Sequence, residues 1–123
     1  MTDSKLKALE RSYLGKIIEI KIDRPIGYVH TKGDKVLKYP INYGYIPGVL
    51  GGDGEELDVY LLGVSEPVES FVCRVIAIVY RENDNEDKLV AAPEGMSFTK
   101  EEIENTVHFQ EKYYRSQIEL YNE

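Results

Sequence analysis

The chain has 123 residues, 42% of them hydrophobic and 30% charged, a balance that suits one folded domain and excludes both a disordered tail and a membrane protein. Fifteen Lys and Arg stand against 22 Asp and Glu, a net charge of −7, which excludes a general nucleic-acid binder because such proteins need clustered cations. The single cysteine, Cys73, excludes an internal disulfide and a cysteine zinc site.

The amino-terminal segment alternates charge with Leu and lacks the apolar core of a signal peptide, and the longest apolar run, Val75 to Tyr80, is six residues. A soluble, cytoplasmic, single-domain protein without a membrane partner is therefore expected. Asp3 or Ser4 can cap a short helix bearing Leu6, Leu9 and Tyr13, with Gly15 as its stop. Lys16 to Ile22 alternates Ile18, Ile20 and Ile22 with Glu19 and Lys21, the period of a half-buried strand, and Pro25 ends it. Ile26 to Val29 and Lys35 to Tyr39 flank Thr31-Lys32-Gly33-Asp34, which has hairpin chemistry. Tyr39 to Pro47 carries two prolines and Gly48 to Gly54 four glycines, which predicts a shaped loop. Leu57 to Leu62, Phe71 to Tyr80 and Lys88 to Ala92 read as buried strands, with Arg81 to Asp87 a polar turn. Thr99 and Glu102 form a capping box, and Val107, Tyr114, Ile118 and Tyr121 recur at about one helical turn, which predicts a helix reaching Tyr121. Strands first and a helix last predict an α+β, mostly β architecture: a small, twisted, antiparallel OB-like barrel of five strands with a packed carboxy-terminal helix.

The densest chemistry lies in Gly51-Gly52-Asp53-Gly54-Glu55-Glu56-Leu57-Asp58. Three carboxylates surround a glycine turn that feeds a strand. With Leu57, Val59 and Leu61 facing the core, Asp58 points to the opposite side, back towards the turn. Carboxylates gathered this closely repel one another unless a cation sits among them, and oxygen ligands suit a hard ion such as Mg²⁺.

Upstream lies Tyr39-Pro40-Ile41-Asn42-Tyr43-Gly44-Tyr45-Ile46-Pro47. This segment and the acidic turn together resemble the soluble, Mg²⁺-dependent (family I) inorganic pyrophosphatases. Glu86-Asp87-Lys88-Leu89-Val90-Ala91-Ala92-Pro93 is similar to that family's acid-lysine strand, and His108-Phe109 with Tyr113 to its late helix. The resemblance implies hydrolysis of pyrophosphate to two phosphates with Mg²⁺, or Mn²⁺ in its place, in a chain free to form a homo-oligomer. It implies that Asp53, Asp58 and one of Glu86 or Asp87 hold metal, with Glu19 reaching the metals through water. Glu55 stands where the family has the general base, and Tyr39, Tyr43, Lys88 and Tyr113 match phosphate contacts.

The chain also departs from the pattern. Gly27-Tyr28-Val29 replaces K-Y-E, the following segment is short and lacks a clear arginine, and Tyr114 stands where a lysine is expected. Three of four substrate-facing cations are thus missing at their matched positions. Lys32, Lys35, Lys38, Arg81, Lys112 and Arg115 are the candidates to replace them in space. The alternative functions are a catalytically degenerate phosphate- or metal-binding module and a hydrolase of a larger phosphoanhydride. Other residues read more plainly. Asn83 to Asp87 lacks the glycine and distal glutamate of a calcium loop, His30 and His108 define no zinc site and read as a surface and a helix residue, and Cys73 is a core thiol. Tyr80, Tyr114 and Tyr121 read as packing residues, and Glu111 with Arg115 as a helix-surface ion pair.

Overall fold

A computed structural model of the chain describes residues 3–82 and 86–122. Helix α1 (Asp3–Ser12) precedes strands β1 (Ile17–Arg24), β2 (Val29–Lys32), β3 (Lys35–Lys38), β4 (Asn42–Leu50), β5 (Glu56–Leu61), β6 (Ser70–Arg81) and β7 (Lys88–Ala92). Helix α2 (Lys100–Glu111) and strand β8 (Ser116–Leu120) follow. β1 pairs with β4 through Lys21–Arg24 and with β6 through Ile17–Lys21, so β1, β4, β5, β7 and β6 close into the expected five-stranded barrel. Not every pair is antiparallel, because β7 inserts between β5 and β6 and runs parallel to β5. β2 and β3 form a separate two-stranded hairpin.

Two further differences from the sequence expectations have local causes. The loop expected from Tyr39 onward is largely a strand, β4. Asn42 to Tyr45 pairs with β5, and Pro47 falls in the stretch between Tyr45 and Leu50 where pairing is interrupted, so its missing N–H is not needed. Gly44 lets β4 close on β1, since a Cβ there would lie 1.8 Å from the Lys21 carbonyl oxygen. At the other end, α2 stops at Glu111 instead of reaching Tyr121. Ile118 and Leu120 alternate with Gln117 and Glu119, and this strand period sets them opposite Val79 and Ala77 of β6. The capping box is present: Glu102 N donates to Thr99 Oγ1 and Thr99 N to Glu102 Oε1.

Period-two alternation splits the core in two. Leu57, Val59 and Leu61 of β5 and Leu89 and Ala91 of β7 fill the barrel with Ile20 and Val75. Tyr60 and Leu62 and Val90 point outward, where Ile103 and Val107 of α2 cover them together with Tyr39 and Tyr43. Cys73 lies in the barrel core, burial pushing its thiol up to about 12. Among the described residues no helix is long and apolar enough to cross a membrane. Asn83, Asp84 and Asn85 of the calcium-like stretch lie outside the described residues.

Candidate active-site cleft

The cleft opens on the outer face of the barrel where α2 stops covering it. On β5 and β7 the outward residues beyond Tyr60 and Val90 are Asp58 and Lys88. The parallel register, Val59 beside Leu89 and Tyr60 beside Val90, sets those two side by side. Lys88 Nζ donates to Asp58 Oδ2 at 2.5 Å and lies 3.4 Å from Glu86 Oε2. The turn before β5 supplies Asp53 and Glu55, and Glu55 N donates to Asp53 Oδ1 at 3.0 Å, which fixes the turn. Gly54 completes it with φ +82°, a conformation side chains rarely adopt.

Opposite the acids stands the β2–β3 hairpin. Its register pairs His30 with Leu37 and Lys32 with Lys35, so these four share one face, and all four line the cleft. Val29 and Val36 occupy the other, exposed face. Tyr113, just past α2, closes the rim, with Lys35 Nζ 4.2 Å from its ring centroid. The open cleft has a volume of about 640 Å³, within the range of small-molecule sites.

Of the residues expected from the sequence, the cleft brings together Tyr43, Asp53, Glu55, Asp58, Glu86, Lys88 and Tyr113. Three others lie elsewhere. Tyr39 is fully buried beneath the floor. Asp87 faces away from the cleft, towards α1: its carboxylate accepts from Lys7 Nζ and from the Arg81 backbone N–H. Of the pair Glu86 and Asp87, only Glu86 lines the cleft. Glu19 is exposed on β1 beside Val72 of β6, four residues before the cleft-lining Asp23, or about 13 Å by strand rise. Among the substitute cations, Lys32, Lys35 and Arg81 reach the cleft. His30 also reaches it and is not simply a surface residue. Glu111, expected in a helix-surface pair with Arg115, is instead buried at 5% exposure because both its oxygens accept from Arg81, at 2.8 and 3.1 Å.

Several contributors escaped the sequence reading. Arg24 and Asp23 come from the end of β1, next to Pro25. Gln110 and Glu111 sit on the buried stripe of α2 with Ile103 and Val107. Polar residues at apolar positions of a helical period were the available signal. These residues join in one buried chain. Arg24 Nη1 donates to Tyr39 Oη at 2.5 Å, and Tyr39 Oη donates to Gln110 Oε1 at 2.5 Å. Gln110 Nε2 donates to Tyr60 Oη at 2.8 Å, and Tyr60 Oη donates to Glu111 Oε2 at 2.6 Å. Burial pushes the Tyr39, Tyr43 and Tyr60 phenols above their ordinary range, which keeps them protonated and able to donate. Burial alone would weaken the charge on Arg81, but the hydrogen-bonded Glu111 more than offsets it and raises the guanidinium's pKa. Tyr114 stacks on that guanidinium at 3.7 Å and also lines the cleft.

The anionic donors in the cleft are all carboxylates: Asp23, Asp53, Glu55, Asp58 and Glu86. No three of the metal-binding residue types close into a ready-made cage among the described residues. That donor set fits Mg²⁺, which is commonly held by one or two carboxylates while waters and substrate phosphates complete its shell. Hard acids on one wall and cations on the other can take a polyanion together with a divalent ion.

A family model for inorganic pyrophosphatase matches residues 15–122. The inorganic pyrophosphatase of Xylella fastidiosa is 30% identical over 90 residues, covering 67% of this chain and 49% of the relative. That of Sulfolobus acidocaldarius is 38% identical over 87 residues, covering 64% of this chain and 49% of the relative. The chain thus spans about half the length of these relatives. Among solved structures, the inorganic pyrophosphatase of Ehrlichia chaffeensis superposes with a TM-score of 0.66 at 18% identity, covering 88% of each chain. At that identity the superposition speaks for the fold.

Proposed function

The chain belongs to the inorganic pyrophosphatase family, and from that premise we propose that it hydrolyses pyrophosphate to two phosphates in the cytoplasm, with Mg²⁺ and, as a substitute, Mn²⁺. The observation that carries this reading is the two-walled cleft, with Asp53, Glu55, Asp58 and Glu86 facing Lys32 and Lys35 of the hairpin. Asp53, Asp58 and Glu86 are the residues to hold the divalent ion, which when bound neutralises phosphate charge and lowers the pKa of a water. Glu55, exposed on the turn beside Asp53, would take the proton that water loses as its oxygen bonds phosphorus, while the bond from that phosphorus to the bridging oxygen breaks and the second phosphate leaves with the bridging oxygen. Lys88, Tyr43 and Tyr113 hold the phosphates, while Lys32 and Lys35 stand in for the family cations missing from their matched positions. Lys88 now donates to Asp58 in a charge-assisted bond, and on substrate binding it would donate to a phosphate oxygen instead, leaving the Asp58 carboxylate to the divalent ion it would hold.

Phosphate release from pyrophosphate, measured on the full chain with Mg²⁺, with Mn²⁺ and with neither, tests the proposal. Release that requires the divalent ion is the expected result. Calorimetric binding of pyrophosphate without any release would instead make the chain a binding module, and release only from longer phosphoanhydrides would move the substrate.

A further inference from the structure

The three cations at the barrel side of the cleft are not equivalent. Arg81 is bonded through two nitrogens to Glu111, and Lys88 is bonded to Asp58. Arg24 has no carboxylate within ion-pair distance among the described residues; the nearby charge is that of Asp23, its neighbour on β1 and in the cleft lining. Its guanidinium lies 5.9, 5.5 and 5.8 Å from the ring centroids of Tyr28, Tyr39 and Tyr43. Three ring faces can hold a cation in place without neutralising it. The Tyr43 ring that Arg24 approaches on the cleft floor is also 5.7 Å from Lys88 Nζ. An anion on that floor therefore meets Arg24 and Lys88 together.

The aim of Arg24 is fixed from below. A guanidinium has five N–H donors, and one of them is held by the Tyr39 hydroxyl. That hydroxyl has a single proton, which goes to Gln110 Oε1. The amide of Gln110 donates at its other end to Tyr60 Oη, whose proton goes to Glu111. Every hydroxyl accepts once and donates once, so the chain has one direction and ends on a buried carboxylate. Gln110 is the central member, because an amide alone among side chains offers a strong acceptor and a strong donor at one fixed branch. Tyr39 touches no cleft space itself, being fully buried.

We propose that Arg24 binds a phosphoryl group of the substrate, and that Gln110 is the positioning residue that aims it, acting through the Tyr39 hydroxyl. This rests on the pyrophosphatase reading above and adds a cation that no matched family position supplied.

The test uses the full chain with Mg²⁺ and two readouts, the KM for pyrophosphate hydrolysis and the calorimetric Kd for pyrophosphate. Arg24→Gln is expected to raise both about 10- to 100-fold, the weight of a lost hydrogen bond to a charged group. Tyr39→Phe and Gln110→Leu are expected to raise both about 3- to 10-fold, as losses of aim and not of charge. In an Arg24→Gln background neither change should raise KM or Kd further, because the residue they aim is gone. A merely structural role would instead give effects that multiply in the double variant, and that result overturns the assignment to Gln110. If Gln110→Leu does not fold, Tyr39→Phe, which keeps the buried volume, carries the same comparison. Arg24→Gln within twofold of the wild type in both readouts overturns the assignment to Arg24. A wild-type chain that neither cleaves nor binds pyrophosphate overturns both this inference and the function it rests on, whereas a wild type that binds or cleaves it while Arg24→Gln matches it overturns this inference alone.

Discussion

Glu10 should make the folded chain less stable as pH rises, and Glu10→Gln should remove that dependence. The residue is fully buried on α1, and neither carboxylate oxygen has a hydrogen-bond donor among the described residues. Its polar neighbours are the carboxyl of Asp87, which can partner it only when one of the two carries a proton, and the Lys7 ammonium, which is bonded to Asp87 and only partly offsets the rise. Burial first, and Asp87 second, push the Glu10 carboxyl up from 4.5 to about 8. The sign follows directly. Below pH 4.5 the folded and unfolded chains are both protonated there and nothing is lost. Between pH 4.5 and about 8 the unfolded chain gives up the proton while the folded chain keeps it, so stability falls as pH rises. The fall is about 1.4 kcal/mol per pH unit, reaching on the order of 3 kcal/mol at pH 7 and under about 1 kcal/mol at pH 5. Glutamine keeps the shape and offers Asp87 a permanent donor. Urea unfolding at pH 5, 6, 7 and 8 should show the variant close to wild type at pH 5 and about 2–3 kcal/mol more stable at pH 7 and above. A difference that stays constant across this range, or a variant less stable than wild type at pH 8, refutes the reasoning.

Gly44→Ala should break the β1–β4 contact, since its Cβ would meet backbone 1.8 Å away; a loss of about 3 kcal/mol or more, or failure to fold, is expected in urea or thermal unfolding. Glu55→Gln should lower kcat about 10²- to 10⁴-fold while calorimetry shows metal and pyrophosphate binding nearly unchanged, as for a proton acceptor acting in the transition state. Glu55→Asp restores the family's residue, and kcat equal to wild type in both variants would remove Glu55 from the reaction. Lys88→Ala should lower kcat/KM for pyrophosphate about 10- to 100-fold, and because the side chain is buried and paired to Asp58 the thermal midpoint should fall with it, whereas Lys88→Met, which keeps the buried stem, should lower kcat/KM as much with a smaller fall.

Much of the barrel was legible because its strands obey a period of two. Ile18, Ile20 and Ile22 marked β1, and Leu57, Val59 and Leu61 marked the inner face of β5, which correctly turned Asp58 outward. What the pattern could not carry was partnership. β7 reads as a buried strand, yet nothing in Lys88 to Ala92 says that it lies parallel to β5, and that pairing is what brings Lys88 to Asp58. β4 was hidden because Pro47 and its glycines speak locally for a loop, while Pro47 and Gly48 are tolerated at a break in pairing with β5 and Gly44 is required by the close approach of β1. β8 was read as helix because Ile118 and Tyr121, three apart, fit a helical turn as well as Ile118 and Leu120 fit a strand. Three of the five cleft acids, Asp53, Glu55 and Asp58, were readable from one short turn, and Glu86 from the stretch before β7, whereas Asp23 carried no signal. Of the cleft's cations, Lys88 was readable from its motif, Lys32, Lys35 and Arg81 only as candidates among six, and Arg24 not at all, since it reaches the cleft from the end of β1 far away in sequence.

The parallel contact between β5 and β7 also governs when the cleft can exist. β7 can take its place only after β6 has been made and folded back, leaving a slot between β6 and β5 that β7 fills. Asp58 and Lys88, thirty residues apart, therefore meet only once β7 stands beside β5. Pairing across such a separation carries a loop-closure cost that favours late formation. A chain halted before β7 would hold the acidic turn with no lysine beside Asp58 and an open edge on β5 exposed to other strands. Competence to bind an anion and protection of that edge thus arrive in the same folding step.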